Sequence, residues 1–317
     1  MSKSTTNHTP PGPDLTNASQ VASRREFLGR AVTLAATAAF SPTLLAAEAR
    51  PIRTAVDPVP LGSTDLKLSR LGFGTGSLSG RIQRSLGQPG FNRLIRYAFE
   101  RGITWFDCSE TYVTFPWIAA ALKGLPREKL FMQSKISGQP QDVLKVIDRH
   151  RKVLNTDYID SLLIHCMVKG GWTDQRKREM DAFQEAKARK WIRAKGVSCH
   201  SLPALRAAAA SDWPEVHLVR VNPQAKLVDG PEEHWNTSGA SIAPVIEQIK
   251  IMHAKGRGVI GMKIIGEGNF KRPEDREKSI RFAMAQPEIN AVVIGFKSRP
   301  EIDEAIERIN RALRVAG

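Results

Sequence analysis

The sequence predicts a (β/α)8 TIM barrel, an α/β fold in which eight parallel strands alternate with eight helices. From residue 69 onward, short apolar runs alternate with longer amphipathic ones. Eight such pairs fit within about 250 residues, the usual size of this fold. The competing fold is a doubly wound open sheet, which usually places a Gly-x-Gly-x-x-Gly turn between its first strand and a helix. Here the first strand ends in GFGTGSLSG, and no helical pattern opens on those glycines.

The elements of the predicted barrel follow one another in a regular order. The expected strands are the apolar runs at residues 69–75, 104–110, 129–136, 158–165, 193–200, 216–223, 258–264 and 289–296. The expected helices are the amphipathic segments at residues 90–102, 115–124, 140–155, 174–191, 201–211, 241–256, 275–286 and 299–313. Gly102 and Gly256 follow the last periodic residue of two helices, and Pro300 lies near the start of the last helix. Before the first strand, residues 59–71 predict a β-hairpin, which in a barrel would cap the bottom.

The first 49 residues differ from the rest of the chain. Residues 1–22 are polar, rich in Pro, Ser, Thr and Asn, and lack any hydrophobic period, which predicts disorder. Residues 23–28 read SRREFL, an uncharged run extends from 31 to 47, and AEA follows at 47–49. This pattern resembles a twin-arginine export signal with a small-residue cleavage site. We therefore expect a signal peptide over 1–49 and a barrel domain over 50–317, exported to the periplasm by the twin-arginine machinery. An uncleaved amphipathic helix or a membrane anchor is the alternative.

Composition limits the partners of the chain. The formal net charge of +15 favours anionic ligands, but no segment combines a basic cluster with stacking aromatics, so nucleic acid is not expected. The sequence contains no run of about 20 apolar residues, so a stable membrane span is not expected. Cys108, Cys166 and Cys199 are too few for a disulfide framework and lack metal-site spacing, so no metal site is expected. All three follow strand ends, where we interpret them as structural thiols, with a metal or redox pair as the alternative.

Four proton-handling side chains fall at the ends of three successive predicted strands. Asp107 ends the second strand, with Tyr112 in the loop beyond it; Lys135 ends the third and His165 the fourth. Barrel active sites form at the C-terminal ends of the strands, so these four should share one small volume. A phenol has a pKa of about 10 and exchanges protons poorly at neutrality without a nearby cation. Lys135 could be that cation, kept charged by Asp107, while His165 offers a hydrogen bond to a substrate oxygen.

This tetrad, in this order and with Tyr112 five positions after Asp107, resembles that of the aldo/keto reductases. The resemblance extends from about residue 59 to the C-terminus. It implies a barrel that binds NADP(H) or NAD(H) and passes hydride between nicotinamide and the carbonyl or alcohol carbon of a small-molecule substrate. It also implies that Tyr112 is the acid/base, Lys135 its tuning cation, Asp107 the partner of that lysine, and His165 the group that orients the substrate oxygen.

The resemblance further implies a set of cofactor contacts. These are Thr75 near the nicotinamide, Ser198 and Asn222 at its carboxamide, Lys263 near the pyrophosphate, and Gly295, Lys297 and Ser298 at the adenosine phosphate. Lys297, with Arg299, favours NADP(H) over NAD(H). The chain departs from the family pattern at Cys199, Pro223, Met262 and Ile302.

Two questions stay open at this point. Val113, Phe115 and Trp117 either form an apolar wall beside the site or pack within the second helix layer. Export also leaves no evident supply of reduced nicotinamide. One hypothesis is a tightly held cofactor that is reduced and reoxidised within one cycle, during epimerisation or paired oxidation and reduction of sugar-like alcohols. In another form of this hypothesis, a redox partner reduces or oxidises the held cofactor. The alternative from another class is a non-catalytic barrel that senses a small ligand or a nucleotide.

Overall fold

A computed structural model of the protein describes residues 53–235 and 237–315. The predicted disordered segment and export signal, residues 1–49, lie outside this part of the chain. The strands are β1 (Pro58–Pro60), β2 (Lys67–Ser69), β3 (Leu71–Gly74), β4 (Trp105–Asp107), β5 (Phe131–Ile136), β6 (Ile159–Met167), β7 (Ile192–Cys199), β8 (Val216–Arg220), β9 (Gly258–Met262) and β10 (Ala291–Gly295). The first two pair as an antiparallel hairpin, and the other eight close into a barrel.

All eight predicted barrel strands are confirmed, and with them the (β/α)8 TIM barrel. Going round the barrel, the order is β10-β3-β4-β5-β6-β7-β8-β9, and each neighbouring pair is parallel. The register places Asp107 beside Gln133 and Gln133 beside Ser161. Because side chains alternate between the two faces of a strand, this register builds one inward-facing polar layer near the C-terminal mouth.

The eight predicted helices are also confirmed. The helices are α1 (Arg81–Arg84), α2 (Gly87–Glu100), α3 (Ile118–Leu122), α4 (Val143–Leu154), α5 (Trp172–Gln175), α6 (Lys177–Ala188), α7 (Leu202–Ala210), α8 (Ala243–Ala254), α9 (Pro273–Met284) and α10 (Arg299–Val315). Only α1 and α5 were not predicted, because four residues are too few to show a hydrophobic period. Asp142 caps the start of α4 by accepting a hydrogen bond from the Lys145 amide, and Asn155 ends that helix in the left-handed conformation. None of the helices in the described residues is both long and apolar enough to cross a bilayer.

The lower half of the barrel interior is an apolar plug. Trp105 is fully buried there, and a Cβ on Gly72 would lie 1.8 Å from its ring, so the neighbouring strand must carry glycine. Leu61 and Leu66 of the hairpin connection join the same buried cluster, so the hairpin closes the bottom as predicted. This packing leaves the opposite, C-terminal end of the barrel for polar side chains.

Candidate active site

The four predicted catalytic side chains meet at the C-terminal mouth of the barrel. Lys135 Nζ donates to Asp107 Oδ1 at 2.5 Å, to the Cys108 carbonyl oxygen at 2.9 Å and to the Tyr112 hydroxyl at 3.4 Å. The ring centroids of Tyr112 and His165 lie 5.8 Å apart in an edge-on arrangement. The three strand ends and one loop therefore bring the proton-handling groups into a single contact cluster.

Gln133, which sequence analysis did not single out, belongs to the same cluster. Its Nε2 donates to Asp107 Oδ1 at 2.8 Å, the oxygen that also binds Lys135. The side chain is fully buried, and its Oε1 has no hydrogen-bond partner among the described residues. Its position two residues before Lys135 on the same strand, and thus on the same inward face, is the sequence signal that could have found it.

Neighbouring charges keep Lys135 protonated, and burial keeps Tyr112 neutral. Burial disfavours the ammonium, but Asp107 and Tyr112 outweigh burial and raise the pKa of Lys135, as predicted. Burial also raises the pKa of Tyr112 to about 12, and Lys135 offsets this only in part. The lysine thus acts in the expected direction, but burial is the larger effect because the phenol ring is enclosed. A Cβ on Gly76 would stand 2.4 Å from that ring. At neutral pH the phenol is therefore a proton donor.

His165 is held through one of its two ring nitrogens. Its Nδ1 lies 2.8 Å from Ser137 Oγ and 3.1 Å from Ser109 Oγ. The β6–β7 register shifts between Ile164 and Met167, and this irregularity surrounds and redirects His165. Burial, with a contribution from Lys135, lowers the pKa of His165 to about 3, so the imidazole is neutral. In the described residues Nε2 has no partner, which leaves it available to a substrate oxygen.

Ser137 is fixed in turn by Glu110. The Ser137 amide donates to Glu110 Oε1 at 2.9 Å, and His150 Nε2 lies 3.2 Å from Glu110 Oε2, which Arg149 also contacts. Burial favours the protonated carboxyl, but hydrogen bonds from His150 and the Ser137 amide outweigh burial and lower the pKa of Glu110. The loops after β4 and β5 are thereby joined next to His165.

A cleft of about 500 Å³ extends from the cluster across the mouth of the barrel. Tyr112 and Asp107 line one end, and the far end lies between the loop after β9, α9 and the start of α10. Away from the tetrad, its basic lining residues are Lys263, Lys271, Arg276, Lys297 and Arg308, and its acidic ones are Glu267, Glu301 and Glu304. The excess of basic side chains fits an elongated anionic ligand.

Three of the predicted cofactor residues line this cleft, and a fourth lies beside it. Lys263 is at the end of β9 and pairs with Glu267 at 2.8 Å, Gly295 ends β10, and Lys297 lies in the loop before α10. Ser298 is the residue immediately before α10 and is partly exposed. The cleft therefore passes the anion-favouring start of that helix.

The other three predicted cofactor residues are not part of the cleft wall. Thr75 Oγ1 donates to the Asp107 carbonyl oxygen at 2.9 Å, and Ser198 Oγ accepts from the Cys166 amide at 2.8 Å. Asn222 Nδ2 donates to the Lys226 carbonyl oxygen at 2.7 Å and to that of Lys263 at 3.2 Å. All three predicted side chains are fully buried and hold loops of the mouth together.

Several cleft residues lie on helices and could not be placed from strand ends. Arg276 of α9 and Arg308 of α10 both donate to Glu304 Oε1 at 2.8 Å. Glu267 Oε1 accepts from Lys263 Nζ at 2.8 Å and from the Leu78 amide at 3.2 Å. Glu267 therefore joins the loop after β9 to the loop after β3, the two walls of the cleft.

The apolar residues after Tyr112 divide between two environments. Phe115 is buried against His150, with ring centroids 4.9 Å apart, and Trp117 packs against Phe91 at 6.0 Å. For Phe115 and Trp117, the structure therefore confirms the prediction of ordinary packing in the helix layer rather than that of an apolar wall beside the site. Only Val113 faces outward at the mouth, with 43 % of its surface exposed.

The thiols show the properties of structural cysteines. Cys108 and Cys199 are buried, and burial raises the pKa of Cys108 to about 12 and that of Cys199 well above its ordinary value. Burial also raises the pKa of the partly exposed Cys166. Since the thiolate is the reactive form, these groups are poor nucleophiles and metal ligands.

Comparisons with known proteins agree with this fold and site. The sequence profile of the Aldo/keto reductase family matches residues 70–314. The chain is 34% identical over 170 residues to the probable aldo-keto reductase 1 of Glycine max, a match covering 49% of this chain and 48% of that protein. It therefore spans about half the length of that relative. It is 24% identical over 298 residues to the L-galactose dehydrogenase of Arabidopsis thaliana, covering 81% and 89% of the two chains.

Solved structures share the same barrel. The holo form of an aldo-keto reductase from Bacillus halodurans matches with a TM-score of 0.64 at 16% identity, covering 83% of this chain and 96% of that one. An aldo/keto reductase from Klebsiella pneumoniae in complex with NADP and acetate matches with a TM-score of 0.58 at 15% identity, covering 81% and 89%. At this identity the structural likeness supports the fold, whereas the sequence profile extends across nearly the whole barrel. The chain belongs to the aldo/keto reductase family.

Proposed function

We propose that this protein is an NAD(P)-dependent oxidoreductase that transfers hydride between a nicotinamide and the carbonyl or alcohol carbon of a small molecule. One observation carries the proposal: the Tyr112 hydroxyl lies 3.4 Å from the buried ammonium of Lys135, at one end of a cleft whose remaining length is lined by basic side chains. A bound nicotinamide supplies or accepts the hydride. The side chains of the mouth handle the proton and position the substrate oxygen.

In the reducing direction, Tyr112 is the proton donor. Its hydroxyl gives a proton to the carbonyl oxygen as that carbon gains hydride, and Lys135 stabilises the phenolate that remains. Asp107 keeps Lys135 charged, and Gln133 donates to the same carboxylate oxygen. His165 Nε2 donates to the substrate oxygen and so orients it. In the oxidising direction the phenolate accepts the alcohol proton. Because the pKa of Tyr112 is raised, little phenolate is present at neutral pH, and this direction is disfavoured there.

The residues of the cleft suit a dinucleotide. In this proposal Lys263 and Lys271, which line the cleft, would bind a pyrophosphate. Lys297 and Ser298, which precede α10, would bind an adenosine phosphate. We propose a preference for NADP(H), because Lys297 is 65% exposed while its 3.9 Å contact with Glu301 is long. Klebsiella pneumoniae structures with NADP and NADPH support the same cofactor class. Comparing dissociation constants of NADPH and NADH for the wild type and Lys297→Ala tests this. Equal affinities in both proteins would contradict it.

We propose further that the cofactor is held tightly. Glu267 bridges the two walls of the cleft through Lys263 and the Leu78 amide, so release of a dinucleotide requires these contacts to open. Purified mature protein should then carry nicotinamide absorbance near 340 nm or 260 nm after gel filtration. Protein that emerges free of nucleotide and exchanges NADPH freely would rule this out.

We also propose that residues 1–49 are a cleaved twin-arginine signal that sends the barrel, residues 50–317, to the periplasm. The pair Arg24–Arg25 and the AEA sequence at 47–49 support it. The twin-arginine route carries folded proteins, so a dinucleotide could be bound before export. Arg24→Lys with Arg25→Lys should leave the protein in the cytoplasm, and N-terminal sequencing of the exported form should begin near residue 50. Equal fractionation of both proteins would contradict the proposal.

Turnover by wild type and Tyr112→Phe tests the proposed activity directly. The variant removes only the hydroxyl, so NADPH binding should persist while carbonyl reduction falls by at least about 100-fold, the usual contribution of a general acid. Binding of cofactor by both proteins with no turnover by either, across aldehydes, ketones and sugars, would instead favour the non-catalytic sensor.

A further inference from the structure

Gln133 lies directly beside Asp107, on the strand that also carries Lys135. The register pairs Asp107 of β4 with Gln133 of β5. Two residues before each of them, Trp105 and Phe131 belong to the buried apolar cluster inside the barrel. Because side chains alternate along a strand, Asp107 and Gln133 face the same interior, one layer nearer to the mouth. Gln133 is thus a polar side chain between the apolar plug and the tetrad.

Two donors from one face of β5 hold a single oxygen of Asp107. Lys135 Nζ donates to Oδ1 at 2.5 Å, and Gln133 Nε2 donates to the same atom at 2.8 Å. Lys135 also donates to the Cys108 carbonyl oxygen at 2.9 Å and to the Tyr112 hydroxyl at 3.4 Å. The ammonium therefore serves three acceptors, and its bond to Tyr112 is the longest. How tightly Asp107 holds Lys135 thus affects how closely the ammonium approaches Tyr112.

The other end of the Gln133 amide makes no comparable contact. The side chain is fully buried, and its Oε1 has no hydrogen-bond partner among the described residues. A buried acceptor without a partner costs free energy, whereas an unbranched apolar side chain such as Met would fill similar space without that cost. Packing alone therefore does not account for an amide here. Its described side-chain bond, from Nε2 to Asp107, points to a role in placing that carboxylate.

Several other titratable groups surround Asp107 and Lys135 at the mouth. They come from the ends of β4, β6, β7 and β9 and the loops beyond, and are Cys108, Glu110, Tyr112, His165, His200 and Lys263. Burial raises the pKa of Cys108 and of Tyr112 to about 12 and lowers that of His165 to about 3, so these three are uncharged near neutrality. Among the described groups, Asp107 is the carboxylate that acts on both Lys135 and Tyr112.

From the shared oxygen and the unpaired end of the amide, we propose that Gln133 is a positioning residue for the proton transfer. It anchors the Asp107 carboxylate, keeps it ionised and occupies part of the acceptor capacity of Oδ1. Lys135 is then held less tightly by Asp107 and can approach Tyr112 as the phenolate forms. Gln133 is not part of the cleft wall, so it acts through Asp107 and Lys135. This inference rests on the proposed function.

Gln133→Met removes the amide and keeps an unbranched side chain of similar length, so the interior should stay filled. Losing a hydrogen bond to a charged group should lower kcat at least about tenfold. The ratio kcat/KM should fall equally, because the bond matters when the phenolate forms. A carboxylate that loses a donor takes up a proton more readily, so the acid side of the pH profile should move to higher pH. The dissociation constant of NADPH should be unchanged.

Gln133→Glu turns the same position into a pH-dependent donor. When protonated, the introduced carboxyl can donate to Asp107 Oδ1 as the amide does, and when ionised it repels that carboxylate. Relative to the wild type, kcat/KM should fall at least about tenfold between pH 5 and pH 8, because two adjacent carboxyls share one proton until the pH is high. This comparison is made within one protein, so it does not depend on how much of the variant folds.

Ser161→Ala is the matched control. Ser161 lies beside Gln133 on β6 and is fully buried, and its Oγ has no hydrogen-bond partner among the described residues, Asp107 included. The variant should keep the kcat and the pH profile of the wild type. If it reproduced the losses of Gln133→Met, the effect would belong to the polarity of the whole layer, and the proposal would fail.

Crystal structures of the wild type and Gln133→Met give a readout that needs no turnover. We expect the separation of Lys135 Nζ and the Tyr112 hydroxyl, 3.4 Å in the wild type, to lengthen, because Oδ1 without the amide holds the ammonium more tightly. An unchanged separation, or a kcat and pH profile equal to those of the wild type, would overturn the proposal. Wild-type protein that binds NADPH but turns over no aldehyde, ketone or sugar would instead contradict the proposed function itself.

Discussion

Replacing Lys135 by Met should destabilise the fold far more than a typical substitution. Lys135 is 1% exposed and Asp107 is 5% exposed, and their charged atoms are 2.5 Å apart. Removing the lysine leaves a buried carboxylate with Gln133 as its remaining side-chain donor. Stranding one member of a buried ion pair costs about 3–5 kcal/mol. Total stabilities of domains are about 5–15 kcal/mol, so a large share would be lost.

The double variant Asp107→Asn with Lys135→Met separates stability from catalysis. It leaves no buried charge, and neutral replacements of buried pairs are often as stable as the pair. We therefore expect the double variant to recover most of the loss of the single one, while both lack activity because neither can stabilise a Tyr112 phenolate. Recovery of stability without recovery of turnover is the signature of a charge pair kept for chemistry.

Urea unfolding followed by circular dichroism at pH 7 measures the effect. The pKa of Lys135 is raised above the ordinary 10.5, so the pair contributes fully below that pH, and its contribution is lost as pH rises through the raised pKa. At neutral pH the ion pair therefore contributes its full stabilisation. A single variant that loses less than about 1 kcal/mol, or a double variant no more stable than the single one, would refute this reasoning.

Three further outcomes follow from the described contacts. Ser137→Ala removes the closer partner of His165 Nδ1 and should lower kcat/KM about tenfold, as loss of one hydrogen bond implies. Ser137→Thr keeps a hydroxyl, so its kcat/KM should be nearer to that of the wild type. Equal kcat/KM values in all three proteins would show that Ser137 does not position His165. His217 is buried, neither of its ring nitrogens has a hydrogen-bond partner among the described residues, and burial lowers its pKa to about 3. His217→Leu should therefore raise the unfolding free energy by about 1–3 kcal/mol. The gain should be larger at pH 5 than at pH 8, because the unfolded histidine takes up a proton below pH 6.5 that the native state does not bind. A gain independent of pH would argue against a buried neutral ring. Glu267→Gln loses the 2.8 Å ion pair with Lys263 and should speed NADPH release in stopped-flow fluorescence, whereas an unchanged release rate would show that the bridge does not retain the cofactor.

The strands, the helices and the tetrad could all be predicted because their signals are local. Each barrel strand is one apolar run, and strand ends in a barrel converge whatever the details of packing. The contacts of Gln133 and Ser137 could not be predicted in the same way. They depend on which residues face each other across β4, β5 and β6, and register is a tertiary property.

Burial explains where the sequence-based chemistry needed revision. A lysine near a tyrosine predicts a lowered phenol pKa, but the enclosure of Tyr112 opposes the charge and prevails. Thr75 and Asn222 stay predicted cofactor contacts, and in the structure their side chains donate to nearby carbonyl oxygens. How much solvent a group loses, and which backbone groups it must satisfy, cannot be read from residue type alone.

Strained backbone is concentrated at the end of the barrel where the proposed chemistry occurs. Nine residues other than glycine have positive φ in the described parts of the chain, and seven follow or end barrel strands at the mouth. Those seven are Leu78, Ser79, Cys166, Ala225, Leu227, Lys263 and Glu267. At about 1–2 kcal/mol each, such strain must be offset elsewhere, and the buried Trp105 plug with its hairpin cap lies at the opposite end. The apolar bottom thus stabilises the fold, and this stability allows the mouth to hold Leu78, Lys263 and Glu267 in positions that the chain alone would not choose.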